Sequence, residues 1–325
     1  MGQDGTGWVE RIAPDETTRH AQASRDMVAM QQAKSQRFGP GRALHRKPIV
    51  ALQATLRVHE GLPPHLRHGL FATPGAHEAW LRLSNGGTDV ASDRRPDVRG
   101  FSMRIFGVDG EAALGGRTDH QDFTLINRPA FAFADSRPFM GLVLAAARGP
   151  AGVLGWALRT YGPLKMFAAL KRLQAGFAVP FSGFATETFY SAVPLCCGPA
   201  AVRLRLLPPQ GARPRPEARD DWAADVAAQL AAGPLVYRLQ MQCFVDEAHT
   251  PIEDASVDWP ESLSPHVTVA DLVVQAPRAD AAFEAQVEQS VFDPWQALAA
   301  HRPLGEVMRA RKAVYYASQQ ARGAG

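Results

Sequence analysis

The sequence predicts an α+β protein built on a closed antiparallel β-barrel of about eight strands, with a helical insertion and C-terminal helices. Three observations predict it. Short segments of strand character fall into two groups, an alanine- and leucine-rich block separates the groups, and no regular strand–helix alternation links consecutive strands. A doubly wound sheet needs that alternation, whereas a closed barrel does not, and closure removes exposed strand edges.

Residues 1–47 are polar and read as an N-terminal arm, with a helix near Thr18 to Gln36 and the glycine, proline and basic connector FGPGRALHRKP after it. Residues 48–325 read as one domain. Its first strands are IVALQATLRV, AWLRLSNG, VRGFSMRIFG and DFTLIN, each bounded by glycine, proline or aspartate. The block at about 137–176, PFMGLVLAAA through LKMFAALKRLQAG, reads as two or three helices inserted halfway. Strands resume at ATETFYSAVP, AAVRLRLLP, LVYRLQMQCFV and HVTVADLVVQ. The chain closes with two helices, DAAFEAQVEQSVFDPW and a last one at about 304–321. LLPPQGARPRPEARDD and DEAHTPIEDASVDWPESLSP are loops by their proline and charge content.

The 325 residues carry 35 Lys plus Arg against 32 Asp plus Glu, so the net charge of +3 offers no electrostatic reason for a nucleic-acid partner. The longest run free of acidic and basic residues, Thr188 to Val202, is too short for the roughly 20 apolar residues of a membrane-spanning helix. The N-terminus lacks both a basic start and an apolar stretch, and a cytoplasmic protein is expected. Met1-Gly2 with Thr6 matches the short and common myristoylation pattern. Three cysteines, two of them adjacent, exclude a disulfide framework. CxxC, GxxxxGK[ST], GxSxG and HExxH motifs do not occur.

In the last helix Arg311 and Tyr315 stand four residues apart, which places guanidinium and phenol side by side on one face. A fixed positive charge beside a phenol favours the ionised oxygen, a ligand for ferric iron, with half-buried packing of a tyrosine on a basic helix as the alternative. The first half contains, in order, ATLRVHEG, RLSNGG, an acidic loop ending in RGF, NRPAF and DSRPF. This series resembles the heme catalase superfamily: a V-H at the first barrel strand, an R-x-S, an R-G-F, an N-x-P with aromatics, a trailing D-x-x-x-F, and R-x-x-x-Y in the terminal helix. HRPLG followed by RARKAVY is similar to the small, compact branch that includes catalase-related peroxidases and allene oxide synthase-like proteins.

The resemblance implies a heme b (iron protoporphyrin IX) cofactor with Tyr315 as the iron ligand and Arg311 keeping it ionised. It implies His59 as the distal acid–base residue, Ser84 as its hydrogen-bond partner, Arg82 and Arg57 toward the heme propionates, and Phe131 and Phe139 against the porphyrin. Asn127 stands one place after the position of the family's distal asparagine, where Ile126 falls, and Arg57 stands two residues ahead of His59 where the large catalases have three. The implied function is a heme peroxidase that cleaves organic hydroperoxides, with weak hydrogen peroxide dismutation, acting on a small-molecule peroxide or a lipid hydroperoxide. A fatty-acid hydroperoxide isomerase or dehydratase and a non-catalytic heme-binding protein are the alternatives, and the family's habit of association makes a homodimer the expected assembly. His65 and His68 read as solvated turn residues, Asp119, His120 and Asp122 as loop polarity against a metal-site alternative, and Trp259, Cys196 and Cys197 as core.

Overall fold

A computed structural model describes residues 5–177, 180–275 and 280–324 of the chain, so Met1 and Gly2 of the lipidation pattern lie outside the described residues. Among the described residues nine strands form one antiparallel sheet: β1 (Pro48–Val58), β2 (Gly75–Asn85), β3 (Arg99–Glu111), β4 (Arg117–Ile126), β5 (Phe189–Tyr190), β6 (Leu195–Cys197), β7 (Ala200–Leu207), β8 (Leu235–Cys243) and β9 (Val267–Val274). The order β5-β4-β3-β2-β1-β9-β8-β7 closes on itself through a β5–β7 pair, giving an eight-stranded barrel, with β6 added beside β7.

Side-chain alternation along each strand sorts residues between the barrel interior and its outer wall. Leu52, Leu56, Leu81, Leu83, Phe101 and Met103 are at most 2% exposed and belong to the interior cluster. Phe101 packs on Phe189 and Tyr237 with ring centroids 5.2 and 5.4 Å apart, so rings from three strands meet at the axis. An eight-stranded barrel is just wide enough for its own side chains, and this one is filled. Any sizeable cavity must therefore lie outside the wall.

Among the described residues six helices lie outside that wall: α1 (Glu16–Phe38), α2 (Ser136–Ala147), α3 (Pro150–Phe177), α4 (Trp222–Ala231), α5 (Ala281–Gln289) and α6 (Glu306–Arg322). α1 packs along α6, joined by Met27, Met30 and Val314, and α2 adds Val143 to the same cluster. Polar contacts lock this junction. Gln31 of α1 donates to the Ser318 carbonyl of α6, and Glu306 at the start of α6 accepts from the Ser136 backbone N–H and hydroxyl at the start of α2.

Three elements differ from the sequence expectation. ATETFYSAVP is a strand only at Phe189–Tyr190, because the chain bends at Ala192, with φ of 59°, before β6 begins. DAAFEAQVEQSVFDPW is helical only to Gln289, since Ser290 is extended and Pro294 follows. α4 was not anticipated; Asp221 caps it through the Ala224 N–H, and Trp222 buries itself against the barrel. Gly162, with φ of 70°, and Pro163 kink α3 into two helical arms. Among the described residues, no helix is long and apolar enough to cross a membrane.

Candidate functional site

A large cavity lies between the outer face of β2–β4 and the helices α1, α2 and α6, with an empty volume of about 1340 Å³ counted out to its mouth. Its floor is built by strand register. Arg82, Ser102 and Thr124 stand opposite one another across β2, β3 and β4, and Ser84, Gly100 and Ile126 form the next row. The alternation that sends Leu81, Leu83, Phe101 and Met103 into the barrel core turns these rows outward.

His45 enters from the loop between α1 and β1. Its Nδ1 lies 3.0 Å from Ser84 Oγ, its carbonyl accepts from Arg82 at 2.9 Å, and its backbone N–H donates to the Gly86 carbonyl. The backbone takes a φ of 51°, in the left-handed region that a non-glycine residue adopts at a cost. The ring packs closely against the β3 backbone at Gly100, where an added Cβ would stand 2.5 Å from Nδ1 and 2.8 Å from Ser84 Oγ. Burial, then the charges of Arg82, Arg311 and Arg42, pull the His45 pKa down to about 3. The imidazole is thus neutral at neutral pH, and its bond to Ser84 leaves Nε2 as the nitrogen available for chemistry.

From α6, Arg311 donates to the Tyr315 phenol oxygen at 2.7 Å and to Thr124 Oγ1 at 2.7 Å. The strand-borne threonine anchors the guanidinium, and the guanidinium in turn holds the phenol. Both Arg311 and Tyr315 face the cavity. Phe131 and Phe139 form another wall, with ring centroids 4.7 Å apart, and Met140, Val291 and Phe292 extend its apolar surface.

At one edge three arginines converge. Arg82 pairs with Glu288 of α5 at 2.8 Å, Arg42 contacts the same carboxylate, and Arg322 donates to the Glu288 carbonyl at 2.8 Å. Burial, then Arg82 and Arg322, lower the Arg42 pKa to about 9 against the pull of Glu288. Arg322 is shifted down for the same reasons. Three guanidinium groups gather at Glu288, whose carboxylate pairs with only two of them, an arrangement that favours a ligand bearing acidic arms. The cavity therefore suits a largely apolar ligand with acidic arms, and the Tyr315 oxygen faces into it. Among the described residues no three His, Cys, Asp or Glu side chains cluster as a conventional metal site.

Of the residues expected from the sequence, Arg82, Phe131, Phe139, Arg311 and Tyr315 line this one cavity, and Ser84 holds His45 beside it. His59, Arg57 and Asn127 are placed elsewhere. His59 follows β1 at the far end of the strand, where Nε2 pairs with Asp271 at 3.0 Å in a half-exposed position. Arg57 points outward to solvent on β1. The Asn127 side chain accepts from the Arg99 backbone N–H at 2.8 Å, and Ile126 fronts the cavity instead. Leucines and phenylalanines fill the barrel interior, so a side chain pointing into it does not reach the cavity. His45, within ALHRKP ahead of β1, lines the cavity instead.

Sequence reading missed His45, Arg42, Arg322, Gly100 and Glu288. A signal existed for some of them. Arg42 stands three residues ahead of His45, the spacing lacking at His59, and Arg322 follows Tyr315 by seven residues, two turns along the same helix face. The Asp119, His120 and Asp122 alternative resolves as pairing: His120 meets Asp119, and buried Asp122 holds Arg104 in a two-pronged contact of 2.8 Å each.

Solved catalases share this fold. A fungal catalase aligns with a TM-score of 0.65 and 18% identity over 87% of this chain and 61% of its own. Catalase A from Saccharomyces cerevisiae aligns with a TM-score of 0.68 and 18% identity over 87% and 61%. A bacterial catalase gives 0.65 and 16% over 88% and 57%. The chain thus spans about three fifths of the length of these proteins. No protein-family model and no curated protein sequence matches it.

Proposed function

We propose that the chain is a heme-dependent peroxidase of the catalase-related type that cleaves organic hydroperoxides and dismutates hydrogen peroxide only weakly. The observation that carries this reading is the convergence on one cavity of the Arg311–Tyr315 pair, the His45–Ser84 pair and three arginines about a single carboxylate. Heme b fits these residues. Its propionates would meet the surplus charge of Arg42, Arg82 and Arg322, its ring would lie against Phe131 and Phe139, and Tyr315 would bind its iron. Bound there, heme would supply the redox-active iron that peroxide cleavage requires.

The protein's own groups handle the proton. His45 Nε2, neutral and oriented by Ser84, removes the proton from the hydroperoxide and delivers it to the departing oxygen, so an alcohol or water leaves instead of an anion. Arg311 holds the Tyr315 oxygen in place through the 2.7 Å hydrogen bond. Ile126, Phe131 and Met140 offer an apolar wall that suits an alkyl chain better than a second hydrogen peroxide. The same wall supports a second reading, a fatty-acid hydroperoxide isomerase. That activity would need no external reductant.

An absorption spectrum of the protein loaded with heme tests the proposal. The wild type should show ferric heme with phenolate ligation, Tyr315→Phe should lose heme or change its spin state, and Tyr316→Phe, altering an exposed neighbour, should leave the spectrum as it was. An unaltered spectrum in Tyr315→Phe would overturn the assignment. Adding a lipid hydroperoxide with and without a reducing co-substrate separates peroxidase from isomerase.

A further inference from the structure

We propose that the α2–α3 insertion is a docking surface for an anionic lipid membrane. From Ser136 to Thr186 the chain contains no Asp or Glu, but it carries Arg137, Arg148, Arg159, Lys165, Lys171 and Arg172. Arg137 is neutralised by Asp135 at 3.0 Å. Arg148, Arg159, Lys165 and Lys171 are exposed and form no ion pair among the described residues.

Large apolar side chains stand among these cations. Leu164 is 96% exposed and Phe167 72%, and Leu154 and Leu158 are each about half exposed. Leu154 and Leu158 share one face of the first arm of α3, while Leu164, Phe167 and Lys171 share one face of the second. The Gly162–Pro163 kink joins the two arms. Water solvates such leucine and phenylalanine surface at a cost, and a cluster of this kind marks an interaction site.

Charge decides between occupants. A second copy of the chain meeting this patch across a two-fold axis would bring lysine and arginine against themselves, and no acidic residue within the insertion would relieve the repulsion. A bilayer with anionic headgroups satisfies both components, since the cations bind the surface and the apolar side chains enter the headgroup boundary. The position fits that role. α3 packs on α2, and α2 carries Phe139 and Met140 into the wall of the cavity, so a docked insertion would set the cavity beside the membrane. This inference stands on the exposed surface alone and does not depend on the cofactor.

Co-sedimentation of the full chain with vesicles provides the test. Vesicles of phosphatidylcholine containing phosphatidylglycerol should retain the protein, pure phosphatidylcholine should retain it weakly, and raised salt should release it. Replacing Lys165 or Lys171 by Gln should lower the partition coefficient roughly fivefold for each cation removed. The double variant Leu164→Ser/Phe167→Ser should abolish binding while leaving the circular dichroism spectrum and thermal transition unchanged, because both side chains lie in solvent. The proposal is overturned if anionic vesicles fail to bind the wild type, if the double variant binds as well as the wild type, or if sedimentation shows a dimer that the double variant loses.

Discussion

His45 owes its position to tertiary contacts that are each fragile. The ring is held by Ser84 Oγ on one edge and by the absence of a side chain at Gly100 beneath it, while the backbone is held in a strained conformation by Arg82 and Gly86. His45→Ala should keep the heme spectrum and lower the rate of hydroperoxide cleavage at least about a hundredfold, the lower range for a positioned acid–base group. His59→Ala, which removes a half-exposed partner of Asp271, should cleave at the wild-type rate in the same stopped-flow experiment. Wild-type rates in His45→Ala with a loss in His59→Ala would reverse the assignment. Gly100→Ala tests the packing: its methyl group would meet the imidazole at 2.5 Å, so the ring must move and activity should fall toward that of His45→Ala with the protein still folded.

At the scale of an element, α6 carries two functions on separate turns. Its middle and end present Arg311, Tyr315 and Arg322 to the cavity, and its first turn ties three helices together through Glu306 and Arg309. Burial works against the charge of Glu306, but hydrogen bonds from His20, Ser136 and Arg19 outweigh it and hold the carboxyl down to about 2 from 4.5. A carboxyl with a depressed folded pKa stabilises the protein fully above its unfolded pKa and loses that contribution as the pH falls through the folded one. The window is therefore pH 4.5 down to about 2. At neutral pH Glu306→Gln should lose on the order of 3 kcal/mol in urea unfolding. The deficit relative to wild type should shrink as the pH drops below 4.5. A constant deficit across that range would mean that shape, not charge, is what Glu306 contributes.

For the whole molecule, the barrel wall separates stability from chemistry. Phe101 is fully buried at the axis, while its neighbours Gly100 and Ser102 face the cavity on the other side of β3. Phe101→Ala should destabilise the fold by about 3–5 kcal/mol, as large core truncations do, and leave the heme spectrum unchanged. A shifted spectrum at full stability would contradict the division. This two-faced wall also explains what was legible. Strand and helix identities follow from local periodicity, so the barrel, the helical block and the Arg311–Tyr315 pair could be read directly from residue spacing. Arg82, Ser84, Phe131 and Phe139 were legible through the order of motifs around them. His59 lies away from the cavity, and V-H at a strand end looks the same whether a site lies within the barrel or outside it.

By itself the sequence determined the alternation of apolar and polar residues along each strand, the helical spacing that sets a guanidinium against a phenol, and the charge pattern that leaves the insertion basic and apolar. These are properties of residues near one another in the chain, where geometry is fixed by the helix and strand repeats. Only the tertiary structure decided which histidine meets Ser84, that Arg42, Arg82 and Arg322 gather around Glu288, and that Asn127 turns to the Arg99 backbone. The physical reason is packing: side chains already fill the interior of the eight-stranded barrel, so the cavity forms outside it, and the groups that meet there come from segments whose distance along the chain carries no record of their contact.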